Sequence, residues 1–358
     1  GFEVPENWRK YLLGSRHHVY FRLKNAYQHE HRGNSDNDGP HVDMLYWGGD
    51  WEYDFTRFKV NLGWRFFSLG QGIVYSDIHD GVDGELTFDW FSYKIFYSKT
   101  LPHEHNIDTS APAFDKHYDR RFFGMELEFL KLAQHRPYAI FMRAEDQSDE
   151  VPINETSNFD YDAYYYALGT QGELFLPNLR YWTEFIWQRG QSYLSRSLDE
   201  KSIKAYAWTS GLEYYAQIYG HPVLKFEYSR GSGDEDRRSV TNTRDGNLTA
   251  DDKNFLYFGH FTSGGYALNG RLSNLQVYKL GLTWKPLEAV SQQAVRNTLL
   301  EGIPDLTVGS NYYIFRKVES LGAISDERAS RNLHNVGQEW DVFATLRLTS
   351  DVSWSLRW

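Results

Sequence analysis

The chain has no cysteine among its 358 residues. It can therefore form neither a disulfide framework nor a thiolate metal site, which suits an oxidising compartment without requiring one. It also lacks any run near the roughly 18 apolar residues that a membrane-crossing helix needs, and its mean hydropathy is -0.62. A helical membrane protein is excluded. No Gly-x-Ser-x-Gly elbow, phosphate-binding loop or zinc motif is present, and nothing in the pattern points to catalysis or to a cofactor. A net charge of -10 with a pI near 5.7 argues against a nucleic-acid partner. The sequence opens at Gly1 without a basic and apolar leader, so the expectation for an exported protein is a signal peptide already removed.

What the chain has is aromatic residues, 17% of the total with 26 Tyr, 23 Phe and 12 Trp, and strict alternation. In Val223 to Arg230, Leu224, Phe226 and Tyr228 alternate with Lys225, Glu227 and Ser229. In Gln276 to Lys285, Tyr278, Leu280, Leu282 and Trp284 alternate with Lys279, Gly281 and Thr283. Period two is the strand period. In a soluble sandwich the charged face meets water; in an outer-membrane barrel the apolar face meets lipid and the charged face lines a channel.

The same alternation recurs along the chain. It is clear in His18 to Tyr27, His41 to Tyr53, Phe58 to Phe66, Arg121 to Leu130, Asp160 to Thr170, Leu179 to Gln188, Ile203 to Gln217, Gly337 to Leu348 and Val352 to Trp358. Shorter strands are expected over Glu85 to Trp90 and Ser92 to Ser98, after a Gly-rich loop from Gly70 to Gly84. Tyr138, Ile140 and Met142 are expected on the outer face of one strand, opposite Phe141 and Arg143. Short turns alternate with long polar loops, the up-and-down rhythm of outer-membrane barrels with short periplasmic turns and long extracellular loops. The predicted fold is all-β, a transmembrane antiparallel barrel of about 16 strands, with 18 as the alternative. About fifteen strands are countable and bacterial barrels have even numbers, so a closing strand is expected beyond Trp358. Residues 1–15 read as an N-terminal periplasmic segment and 16–358 as the barrel. Within it lie a long loop over 231–274 and a short amphipathic helix near 287–300, packed under the rim.

The charged faces carry the functional signal. The expected pore-lining set is Arg22, Lys24, Lys59, Arg65, Lys94, Arg143, Arg180, Glu184, Lys225, Glu227, Lys279, Asp341, Arg347 and Arg357, with Glu85, Asp89, Glu126, Glu128 and Glu213 as further acids. Bases slightly outnumber acids there, while the excess negative charge sits in loops. Such a lumen favours anionic solutes, because charged rings set selectivity in pores. The plainer alternative is that these are paired charges filling a polar interior.

Several segments resemble the alginate export family of outer-membrane barrels. They are His221-Pro-Val-Leu-Lys-Phe-Glu-Tyr-Ser-Arg-Gly-Ser-Gly-Asp234, Asn254-Phe-Leu-Tyr-Phe-Gly-His260, Gly264-Gly265 and Ser273-Asn274-Leu275. Asn61-Leu-Gly-Trp-Arg65 with Asp80-Gly81-Val82, and Gly337-Gln-Glu-Trp-Asp341, are similar to further motifs of that family. The resemblance implies an outer-membrane pore for an anionic polysaccharide or similar solute, with lumenal Arg and Lys as the path.

Other constellations are weaker. His29-Glu30-His31 and His103-Glu104-His105 place two imidazoles on one face of an extended segment, and acids at Asp234 to Asp236 and Asp245 to Asp252 could hold Ca²⁺; solvated loop charge is the simpler reading. Tyr164, Tyr165, Tyr166, Trp182, Trp187 and Trp208 would stack on sugar rings if they face the lumen, and form interfacial girdles otherwise. The leading function is an outer-membrane channel for an anionic or sugar-like solute such as an exopolysaccharide, narrowed by inward folding of the loops Gly231 to Asn274 and Gly70 to Gly84. Its expected partners are outer-membrane lipid and lipopolysaccharide, the solute, and a periplasmic component. The alternative is a barrel sleeve that houses or anchors a partner protein.

Overall fold

The computed structural model describes residues 15–26, 39–53, 55–100, 120–147, 161–192, 201–236, 251–287, 305–322, 324–325, 331–347 and 353–358. Both His-Glu-His motifs lie outside these residues, as do most of the expected N-terminal segment and the expected helix near 287–300. Among the described residues the regular structure is strand: β1 (Ser15–Ala26), β2 (Gly39–Tyr53), β3 (Thr56–Ser68), β4 (Ser76–Phe88), β5 (Phe91–Lys99), β6 (Arg120–Phe129), β7 (His135–Asp146), β8 (Tyr161–Glu173), β9 (Leu179–Ser192), β10 (Lys201–Tyr215), β11 (Val223–Gly231), β12 (Leu275–Trp284), β13 (Asp305–Lys317), β14 (Asn335–Arg347) and β15 (Ser353–Arg357). They form one 15-stranded sheet in chain order, each neighbour antiparallel, with β1 and β15 as its edges among the described residues.

Each strand puts alternate residues on opposite faces, and the register carries that parity from strand to strand. Leu224 stands opposite Leu282 and Phe226 opposite Leu280, while Lys225 faces Gly281 and Glu227 faces Lys279. One face is a continuous exposed apolar belt, including Val19, Phe21, Leu62, Phe66, Leu168, Leu212, Phe226, Leu280, Trp354 and Leu356. A water-soluble surface does not carry an apolar area of this extent, whereas the hydrocarbon of a bilayer covers it. The other face is mixed and largely covered by the chain's own loops.

Three elements depart from expectation. β4 begins at Ser76, inside the stretch read as a Gly-rich loop. Its inward positions are Asp77, His79, Gly81, Asp83 and Glu85, and Asp80 and Gly84 interrupt its outward set, so apolar alternation is muted. β13 was not singled out by alternation because Tyr312 and Ile314 on one face are matched by Tyr313 and Phe315 on the other. In β7 the expected faces are reversed: Tyr138, Ile140 and Met142 are buried inward, and Phe141 stands opposite Met125 and Tyr166 on the outer face.

The core lies inside the curl of the sheet. Inward residues of β5 to β10, among them Phe96, Phe122, Met142, Tyr165, Ile186 and Ala207, form one buried cluster with Leu69, Ile73, Val74 and Tyr75 of the β3–β4 connection and Phe255, Leu256 and Tyr257 of the β11–β12 connection. Both connections therefore fold into the interior.

Candidate functional site

A backbone segment driven into a barrel interior needs partners for its N–H and C=O groups. The wall supplies them as carboxylates. Glu126 on β6 accepts from the Gly70 N–H at 2.9 Å. Glu184 on β9 accepts from the Gln71 N–H at 3.0 Å and from the Tyr138 hydroxyl at 2.8 Å. Gly70 has φ +50°, and a Cβ there would overlap the Glu184 carboxylate and the Ile140 side chain, so the tight turn under the carboxylates requires glycine.

The second inward segment is fastened in the same way. Glu339 on β14 accepts from the N–H groups of Tyr266, Ala267 and Leu268 at 2.5, 2.6 and 3.2 Å, the Ser263 hydroxyl donates to Glu227, and Gln188 accepts from the Leu256 N–H at 3.2 Å. The Tyr165 hydroxyl donates to the Leu256 carbonyl at 2.8 Å. The two segments also join each other through a parallel bridge between Tyr75 and Phe258, with the Phe258 N–H donating to Val74 O at 3.1 Å and the His260 N–H to Gly72 O at 2.9 Å. Together they form a plug against β4 to β14.

The inner face of β1 to β3 is less covered and carries ion pairs, three of which leave the cation more exposed than its acid, whereas Lys59 and Glu85 are equally exposed. Arg22 pairs with Asp43 and Arg57 with Asp50, Arg65 meets Asp83 at 2.5 Å, and Lys59 is 3.8 Å from Glu85. The Arg22, Arg57 and Arg65 side chains are 43%, 42% and 21% exposed, against 10%, 16% and 5% for their carboxylates. The acid lies beneath and the guanidinium faces the opening. Farther round, Lys225 lies 2.5 Å from Glu227 and 3.1 Å from Glu213. Lys279 lies 3.2 Å from Glu227 and 5.6 Å from the centre of the Tyr313 ring.

Of the expected lining residues, Arg22, Lys24, Lys59, Arg65, Lys94, Arg180, Glu184, Lys225, Glu227, Lys279, Asp341, Arg347 and Arg357 share the inward parity. Lys94 donates to Ser68 O at 2.5 Å, and Arg357 lies 4.8 Å over the Tyr266 ring. Arg143 is the correction. It stands opposite Phe123 and Tyr164 on the outer face, reaching Glu145 at 3.1 Å, because Ile140 and Met142 take the buried inward positions under the plug. Sequence reasoning missed Arg57, although the alternation through Lys59 contains it, and gave no role to Asp43, Asp50, Asp83 or Glu339. Of the singled-out aromatics, Tyr165 and Trp182 face inward, whereas Tyr164, Tyr166, Trp187 and Trp208 face outward. Among the described residues no group of three His, Asp or Glu is placed to hold a metal. Asp234 instead accepts from the backbone of Asp236 and Lys253, and Asp252 from that of Asn254.

The alginate export sequence profile matches residues 92–357. No curated protein matches the chain. Solved structures similar to it include three from Pseudomonas aeruginosa. OccK5 (OpdH) is 10% identical, with 89% of this chain and 76% of that one covered and a TM-score of 0.49. OccK3 (OpdO) is 13% identical, with 90% and 74% covered and a TM-score of 0.49. OccK11 (OpdR) is 10% identical, with 96% and 88% covered and a TM-score of 0.46.

Proposed function

The chain belongs to the alginate export family, and from that premise we propose that this outer-membrane β-barrel channel passes an anionic or sugar-like solute, such as an exopolysaccharide, between its plug and the wall of β1 to β3. The observation that carries the proposal is the layering of the ion pairs: Arg22, Arg57 and Arg65 present their guanidinium groups to the opening while Asp43, Asp50 and Asp83 lie behind them. A carboxylated solute entering this space loses hydration and gains charge-assisted hydrogen bonds from the exposed cations, which must stay weak enough for onward movement. Acids elsewhere on the wall oppose this less than their number suggests, because Glu126, Glu184 and Glu339 are engaged by backbone N–H groups of the inward segments.

The proposed lining is the inward set named above, without Arg143. An interior occupied by residues 69–75 and 251–274 of the chain itself favours a channel over a sleeve for a partner protein. The test is single-channel recording in a planar bilayer, with selectivity taken from the reversal potential under a salt gradient. Wild type is expected to be anion-selective, and Arg22→Gln, Arg57→Gln and Arg65→Gln combined are expected to move the reversal potential towards zero. A cation-selective wild type, or a triple variant with unchanged selectivity, refutes the proposal.

A further inference from the structure

We propose that the lumen end carrying the short turns, which is periplasmic by the usual barrel arrangement, holds a binding site for an uncharged hydroxylated ring, a neutral sugar unit. The site is a cavity of about 560 Å³ at the β8–β9 turn, whose lining includes Gln71, Gln134, Gln171, Arg180, Trp182 and Glu213, together with Arg136, Glu173, Gly172 and Tyr181. That size lies within the ordinary range for small-ligand pockets. The inference deepens the channel reading, on which it rests for the route by which a sugar arrives, and it concerns a different part of the lumen from the β1 to β3 wall.

Three observations choose the ligand. The first is charge: each cation around the cavity already has a carboxylate, Arg180 with Glu173 at 3.6 Å, Arg136 with Glu128 at 2.8 Å and Lys225 with Glu213 at 3.1 Å. An anion entering here must compete with those carboxylates, whereas a hydroxyl donates to a carboxylate and accepts from a guanidinium without breaking the pair. The second is the amide content. Gln71, Gln134 and Gln171 each offer both donor and acceptor atoms, the mixed pattern that a polyol matches and a purely anionic group does not.

The third is Trp182. Its indole lies flat against Gly211, where an added Cβ would overlap the ring atoms Cζ2, Cη2 and Cε2, and Lys225 Nζ sits 4.9 Å from the ring centre. Gly211 thus lets the ring rest on the strand as a fixed aromatic wall of the cavity, with the Lys225 ammonium over part of it. The C–H face of a pyranose packs on such a wall while its hydroxyls reach the amides and ion pairs around it.

The test is isothermal titration of the detergent-purified full chain with maltotriose as the neutral probe and a trigalacturonate as its charged counterpart. Maltotriose is expected to bind, Trp182→Ala to weaken it about tenfold, and Gln171→Ala to weaken it several-fold. The second variant answers the question if the first fails to fold. Absence of maltotriose binding, binding that neither variant alters, or Trp182-dependent binding of trigalacturonate in preference to maltotriose overturns the proposal. A chain that binds maltotriose through Trp182 but carries no current removes the channel reading and leaves the site standing; an anion-selective channel that takes up no maltotriose removes the site alone.

Discussion

Replacing Glu339 by alanine removes the acceptor for three consecutive N–H groups at the inner end of the β11–β12 segment, those of Tyr266, Ala267 and Leu268. Hydrogen bonds to a charged group contribute about 1.5–3 kcal/mol each when desolvated. The carboxylate is partly exposed and water re-satisfies some of the freed donors, so the net loss for docking this segment is about 2–3 kcal/mol. That corresponds to an increase of about 30- to 150-fold in the ratio of undocked to docked segment. Gly265, with φ +76° and no room for a Cβ beside the carboxylate, marks how closely the backbone is drawn onto Glu339. In single-channel records Glu339→Ala is therefore expected to show frequent excursions to a higher-conductance level. Glu339→Gln keeps one carbonyl oxygen and is expected to fall between Glu339→Ala and wild type. Records of Glu339→Ala with the same noise and mean current as wild type would refute the reasoning, and would mean that the Ser263 to Glu227 and Arg357 to Tyr266 contacts hold the segment unaided.

Glu184→Leu leaves the Gln71 N–H and the Tyr138 hydroxyl buried without their acceptor and is expected to cost about 2–5 kcal/mol, read as a lower temperature for the heat-induced band shift of the folded barrel in gel electrophoresis. Gly70→Ala forces a left-handed backbone on alanine, costing about 1–2 kcal/mol, besides its overlap with Glu184; the same band shift should move down and the pore current should change with it. Arg143→Gln should leave the reversal potential where wild type has it, whereas Arg65→Gln alone should move it. Leu168→Arg on the outer face should destabilise by about 2–4 kcal/mol in urea titrations of vesicle-inserted protein, while Gln171→Arg on the inner face of the same strand should cost less than about 1 kcal/mol.

Much of the wall was legible in the sequence because lipid on one side and polar surroundings on the other impose a strict period. β11 and β12 show it best: Leu224, Phe226, Leu280 and Leu282 face outward, and Lys225, Glu227 and Lys279 inward. The period fails where the inner face is also apolar. In β7, Tyr138, Ile140 and Met142 sit under the plug, so both faces look greasy, and the reading placed Arg143 on the wrong side. In β4 the inward run of Asp77, His79, Gly81 and Asp83 has the composition of a loop, which hides the start of the strand. Inward folding was expected of Gly70 to Gly84 and Gly231 to Asn274, and in the first it is confined to the residues before Ser76; how the two segments are fastened was not visible. Glu184 reads as one more polar wall residue, and its partner, the Gln71 N–H, belongs to a backbone group that has no sequence signature. Asp43 and Asp83 were equally silent, since burial beneath an arginine is a matter of register between strands rather than of spacing within one.

The bridge between Tyr75 and Phe258 joins residues separated by about half the chain, whereas among the described residues each strand of the wall pairs with its neighbours in sequence. Contacts between sequence neighbours form at small loop-closure cost, and distant ones form late. Joining the two inward segments thus carries a loop-closure cost that the neighbour-to-neighbour pairing of the wall does not, and the wall's carboxylates that accept from both segments help to offset it.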